Sequence, residues 1–206
     1  MKKKINRPDI SYYLAHFTKD KKDENNKTIC SAKNILIKIL NEKKILASAI
    51  SWTSTPCTCF TESPWCSLLA HAQEYSAYGI GFEKPRIFAA GGAPVYYVRC
   101  DRFQSQSWDD DERKKPFSTP FFPDYTPQSK LDDFYPHKVI DYSHEREWRI
   151  KGDFEFDYSH ISFVVLKSFY DFEQFPDNLK TAIGRKKFII MENYKMIEKL
   201  WPTHLI

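Results

Sequence analysis

The stretch His144-Glu145-Arg146-Glu147-Trp148-Arg149-Ile150 decides how the rest of this chain is read. Val139 and Ile140 lead into it and Lys151-Gly152-Asp153 supplies a turn behind it, so the pattern predicts a β-strand. Side chains alternate across a strand, which puts Glu145, Glu147 and Arg149 on one face and Arg146, Trp148 and Ile150 on the other. Two carboxylates on one strand face are costly to bury unless that face lines a cleft. Two readings follow: a cleft wall, or a half-exposed edge strand with a Glu/Arg ladder on its surface.

Far upstream, Ser11-Tyr12-Tyr13-Leu14-Ala15-His16-Phe17-Thr18 is a β-rich run that ends in a polar triplet. A charged segment from Lys19 to Lys27 follows, with no core residue in it. Ser31 is a good N-cap for a helix to about Asn41, with Ile35, Leu36, Ile39 and Leu40 on its buried face. Cys57-Thr58-Cys59-Phe60-Thr61 reads as a buried strand, and Ser63-Pro64 opens a helix from Trp65 to about Tyr75. Tyr78-Gly79-Ile80-Gly81-Phe82 is a strand thinned by two glycines. They mark close approach by a ligand or by another backbone, or else a bulge or tight sheet packing.

Lys84–Ala90 predicts a short helix closed by Gly91-Gly92, and Pro94–Arg99 a strand. The pattern then breaks down over residues 101–136, where an acidic-then-basic block precedes a stretch rich in proline and aromatics. Phe117, Phe121, Phe122 and Tyr125 are expected to dock back on the body of the protein; a recognition loop is the alternative. Beyond Arg149 come strands at Phe154–Tyr158, Ile161–Leu166 and Phe188–Met191. A helical segment at Phe169–Ile183 is broken near Pro176, and a last helix starts at Glu192. Roughly seven or eight short strands and three or four helices without a βαβ rhythm predict an α+β fold.

Composition bounds the rest. The 206 residues suffice for one sizeable domain, with 101–136 as an insertion in it. A hydrophobic share of 42% with 16% aromatics describes a globular chain with an aromatic core. No apolar run approaches the ~20 residues that span a bilayer, and no apolar block follows the basic start, so a cytoplasmic protein is expected. The net charge of +4, from 31 basic and 27 acidic residues, permits contact with nucleic acid without demanding it. Five cysteines are expected to be reduced thiols. Cys57, Cys59, Cys66 and His71 lack the paired spacing of a zinc site, and no metal is expected. Phosphate-binding, dinucleotide-binding, nucleophile-elbow and zinc-protease motifs are all absent.

His16-Phe17-Thr18, the Ser31 helix ending in Ile45-Leu46-Ala47-Ser48, Cys59-Phe60-Thr61-Glu62, Tyr78–Phe82 and Glu145–Arg149 form a series. In that order and spacing, over roughly residues 12–165, the chain resembles bacterial abortive-infection proteins of the AbiGi type. At longer range it is similar to the ADP-ribosyltransferase fold of DarT-like DNA-modifying toxins. That resemblance implies a split β-sandwich with flanking helices around a cleft for NAD, used as a substrate. Glu147 would steady the oxocarbenium-like centre formed as the nicotinamide bond breaks, and Glu145 would orient or deprotonate the acceptor. His16 would bind a ribose hydroxyl, Phe17 would offer its backbone to the carboxamide, and Thr18 would support the turn. Thr61 would line the cleft, and Tyr75 or Tyr78 would stack on the nicotinamide. Arg149 would meet a pyrophosphate, with an ion pair to Glu145 or Glu147 as the commoner fate of such an arginine.

Two function classes follow. One is a transferase toxin of anti-phage defence, acting on nucleic acid in preference to protein. The other is a non-catalytic antitoxin or regulatory partner, which keeps the same fold and neutralises or regulates a toxin. NAD hydrolysis with water as acceptor is a third possibility.

Overall fold

A computed structural model describes residues 11–62, 76–105, 114–126 and 139–200. The chain divides into two compact units, each drawn from separate stretches of sequence. One combines residues up to 44, 62–86 and those from 155 on; the other combines 45–61 with 87–154. Both mix strands and helices, as an α+β chain should.

In the first unit, Tyr13–Phe17 pairs antiparallel with Gly79–Glu83, which pairs antiparallel with Ile161–Leu166. Phe188–Ile190 adds in parallel at the far side. The glycines of the Gly79–Glu83 strand are explained by packing inside this sheet. A Cβ on Gly81 would lie 2.2 Å from Cζ of Phe163, and one on Gly79 would lie 2.9 Å from Cδ1 of Phe17. Tight sheet packing therefore accounts for both positions.

The predicted helix spans Ala32–Glu42 and buries Ala32, Leu36, Ile39 and Leu40, with Ile35 only half-buried. The Ser31 hydroxyl accepts the Asn34 N–H at 3.3 Å, and a carboxylate oxygen of Asp20 accepts the Ala32 N–H at 2.7 Å. Lys43, in left-handed conformation, closes the other end. The helical run after Ile161–Leu166 breaks at Pro176 as predicted, into Phe169–Glu173 and Asp177–Ile183.

In the second unit, Pro56–Thr61 pairs antiparallel with Ser48–Ala49 on one side and with Glu147–Lys151 on the other. Ala93–Pro94 extends this ladder beyond Glu147–Lys151. The 101–136 stretch holds more order than its pattern predicts. Cys100–Ser105 is helical, and Ser118–Phe121 runs parallel to Tyr96–Arg99. Among the described residues this ladder has two strands, and a proline is tolerated on such an edge strand, as Pro120 is here. Phe122 docks as expected, 3% exposed and clustered with Cys100 and Ile140, whereas Tyr125 is 76% exposed.

The heptapeptide itself departs from expectation. The strand begins only at Glu147, and Ser143–Glu145 is a 3-10 turn. Arg146 switches between them in left-handed conformation, at φ 45° and ψ 53°. The partner strand ends at Thr61, which pairs with Glu147, so the ladder between the two strands starts only there. Glu145 and Glu147 therefore do not share a strand face.

Candidate functional site

The strongest concentration of buried polar chemistry lies in the second unit, around Arg149. This side chain is 1% exposed and all five of its N–H donors are taken. Nε bonds Oε1 of Glu147 at 2.8 Å and Nη2 bonds Oε2 at 2.7 Å, a two-pronged ion pair. The other donors reach the Pro116 carbonyl at 3.0 Å, the Ser118 carbonyl at 3.1 Å and the Thr119 hydroxyl at 2.7 Å. Burial works against the charge of Arg149, but the bonds and the charge of Glu147 outweigh it and hold the guanidinium ionised.

Aromatic groups enclose the pair. The Arg149 guanidinium lies 5.8 Å from the centre of the Trp52 ring, whose indole N–H donates to the Ser118 carbonyl at 2.9 Å. Trp52 in turn stacks on Tyr142. Tyr97 accepts the Glu147 N–H at 3.0 Å and donates to the Tyr142 carbonyl at the same distance. Burial first, and then the charges of Glu147 and Glu145, push the Tyr97 phenol up to about 12 against the pull of that N–H. On the facing strand Cys59 stands opposite Arg149, and burial followed by Glu147 drives its thiol well above the usual range. Cys57, opposite Lys151, is raised chiefly by burial.

Each expected residue can now be placed. Glu147 is paired with Arg149, the fate given above as the common one, and Arg149 in this arrangement has no donor left for a pyrophosphate. Glu145 is buried in the turn, and its carbonyl accepts the Thr61 hydroxyl at 2.7 Å. Thr61 stands at the end of its strand, as expected, and is itself buried.

The other candidates belong to the first unit. His16 is half-buried on the Tyr13–Phe17 strand opposite Ile80, and Phe17 is packed in a cluster with Ala15, Val165 and Met191. The Thr18 hydroxyl donates to the Ala32 carbonyl at 2.9 Å, and its N–H to the Tyr78 carbonyl. Tyr78 is half-buried and donates its hydroxyl to Asp171 at 3.0 Å. Asp171 also accepts from Lys33 and Ser168, both at 2.9 Å. Tyr75, Cys66 and His71 lie outside the described residues.

Sequence reasoning missed Trp52, Tyr97, Ser118 and Thr119. The only available signal was Arg149 itself, two residues from Glu147 on one strand face and in need of partners for its remaining donors. Among the described residues no three or more His, Cys, Asp or Glu side chains gather as a metal site, and no helix is long and apolar enough to cross a membrane.

Residues 16–113 match a family model described as "Putative abortive phage resistance protein AbiGi, antitoxin". Over that stretch the chain is similar to the AbiGi family. The AbiGi segment takes in His16–Thr18, the Ala32–Glu42 helix, Thr61, the glycine strand and Tyr97, and stops short of Glu145, Glu147 and Arg149. No curated protein and no solved structure matches the chain.

Proposed function

We propose that this chain serves bacterial defence against phage as the non-catalytic, antitoxin-type partner of a toxin protein. The description of the AbiGi family supports the biological setting and the antitoxin role. The observation that carries the molecular side is the closure of Arg149 on Glu147. A carboxylate that steadies a developing oxocarbenium ion must present net negative charge to it. Here a guanidinium bound through both oxygens neutralises that charge, and burial of the pair strengthens the mutual attraction. Glu147 and Arg149 thus make a structural pair that secures the Pro116–Thr119 segment.

The second reading, an NAD-dependent ADP-ribosyltransferase with a split β-sandwich, rests on one specific observation. The Glu147 side chain keeps 12% of its surface exposed and starts its strand opposite Thr61, so it is reachable from solvent. In that reading NAD is the substrate and nucleic acid is preferred to protein as acceptor.

Growth and a single assay separate the two. Expression of an antitoxin-type partner leaves host cells healthy, whereas a transferase toxin arrests growth and its Glu147→Ala form does not. The pure protein incubated with NAD, nucleic acid and cell extract then releases no nicotinamide. Nicotinamide release, lowered by about 10²–10³ in Glu147→Gln, would establish the transferase instead.

A further inference from the structure

The strand Phe188–Ile190 pairs in parallel with Ile161–Leu166, with Ile189 opposite Val165. Among the described residues no strand lies beyond it. Apart from that ladder, its backbone makes only the bond from the Phe188 N–H to the Arg185 carbonyl among those residues. Its outer edge therefore offers backbone donors and acceptors to a further strand. All three of its residues are apolar and half-buried, and no proline, glycine or charge within it obstructs pairing.

An aromatic ladder continues the apolar surface from this strand. The Phe188 ring centre lies 5.6 Å from that of Phe175 and 5.4 Å from that of Phe172, which lies 6.0 Å from that of Phe169. Phe175 is buried, whereas Phe169 is 57% exposed and Tyr170 beside it 68% exposed.

The two ends of the strand differ in charge. Arg185, Lys186 and Lys187 form the 3-10 turn before it. Arg185 pairs with Asp177 at 2.9 Å, and the Lys187 ammonium donates to the Ile161 carbonyl at 2.6 Å. Lys186 is exposed and makes no ion pair among the described residues. At the other end Glu192, in the first turn of the Met191–Leu200 helix, is likewise exposed and makes none among them. Lys167, whose carbonyl accepts the Glu192 N–H, and Lys195 are exposed near it, so this end is not acidic overall. The charges here select a register; they do not drive association.

We infer that this edge is a self-association surface, on which two copies of the chain pair their Phe188–Ile190 strands antiparallel about a two-fold axis at Ile189. The same edge is consumed on both copies, so assembly stops at two. This register matches all three apolar residues, setting Phe188 against Ile190 of the second copy. It also brings Lys186 level with Glu192 of the second copy, twice by symmetry. A parallel pairing would instead align Lys186 with Lys186. A second copy is favoured over an unrelated strand because one register satisfies the apolar residues and the charges together. The inference stands apart from the antitoxin-type function.

The test is sedimentation equilibrium of the full chain at about 5–200 µM, since a contact this short lies at the weak end of interface sizes. Wild type should pass reversibly from monomer to dimer. Lys186→Glu and Glu192→Lys each set like charges opposite one another twice, and each should raise the dissociation constant at least ~5-fold. An equimolar mixture of these two variants should regain wild-type association, because both pairs are again of opposite sign in the mixed dimer. Ile189→Lys should abolish the dimer, with thermal melts showing that it still folds. A wild type that stays monomeric throughout overturns the inference. So does a dimer that neither reversal weakens, or a mixture that associates no better than its two parts.

Discussion

The guanidinium of Arg149 and the carboxylate of Glu147 meet through two parallel hydrogen bonds, at 2.8 and 2.7 Å, within a single strand. They stand two positions apart, so the strand's own alternation brings them to one face. The arginine's remaining donors then reach across to the Pro116–Thr119 segment. One side chain thus joins the Glu147–Lys151 strand to residues about thirty positions away in sequence.

Removing one member of this pair leaves the other buried and uncompensated. Glu147→Ala and Arg149→Ala should each lower unfolding stability by roughly 3–5 kcal/mol. Arg149→Lys should also destabilise, because an ammonium cannot reproduce five donors in a planar fork. Urea unfolding of the three variants checks this. Stabilities within 0.5 kcal/mol of wild type, about the limit for an ordinary surface change, would show that the pair contributes little.

Asp171 supplies an acid-sensitive contribution. Burial alone would raise its carboxyl, but hydrogen bonds from Lys33, Ser168 and Tyr78 outweigh burial and hold it below the usual range. A depressed carboxyl binds protons more weakly in the folded than in the unfolded chain. Its stabilisation is therefore fully present above the unfolded value of about 3.9 and is lost as pH falls through the lower folded value. In Asp171→Asn the acid limb of the stability–pH curve should flatten between pH ~5 and ~2, read by denaturant unfolding across that range.

The strand thiols should be inert in the native protein. Burial holds both Cys57 and Cys59 protonated, and Glu147 adds to the effect at Cys59. Iodoacetamide at pH 8 is expected to leave both unmodified until the chain is unfolded, as read by peptide mass spectrometry. Rapid native labelling of Cys59 would contradict the arrangement around Glu147.

Gly81 and Phe163 should be energetically coupled. A methyl group at Gly81 would overlap the Phe163 ring, so Gly81→Ala should cost about 1–3 kcal/mol through overpacking. In a Phe163→Ala background the same change should cost less than about 0.5 kcal/mol, because the obstruction is gone. A double-mutant cycle with equal penalties in both backgrounds would refute the steric origin.

Much of the local structure was legible from residue order. Ser31 announced the helix, Pro176 the break, and Cys57–Thr61 and Ile161–Leu166 their strands. The site was legible only in part. Glu147 and Arg149 were placed together correctly, whereas Glu145 was assigned to a strand whose partner had already ended at Thr61. The order within 101–136 was missed because Ser118–Phe121 owes its strand to pairing with Tyr96–Arg99, and its proline obscures the local signal.

By itself, then, the sequence determined which short segments become helix or strand, since capping, proline geometry and side-chain alternation act over only a few residues. Tertiary structure alone decided that the donors of Arg149 close on Pro116, Ser118 and Thr119, and that the charged segment at Lys19–Cys30 stands as a fixed hairpin. A guanidinium bonds whichever acceptors the fold brings within about 3 Å, and no local preference in the chain names those acceptors in advance.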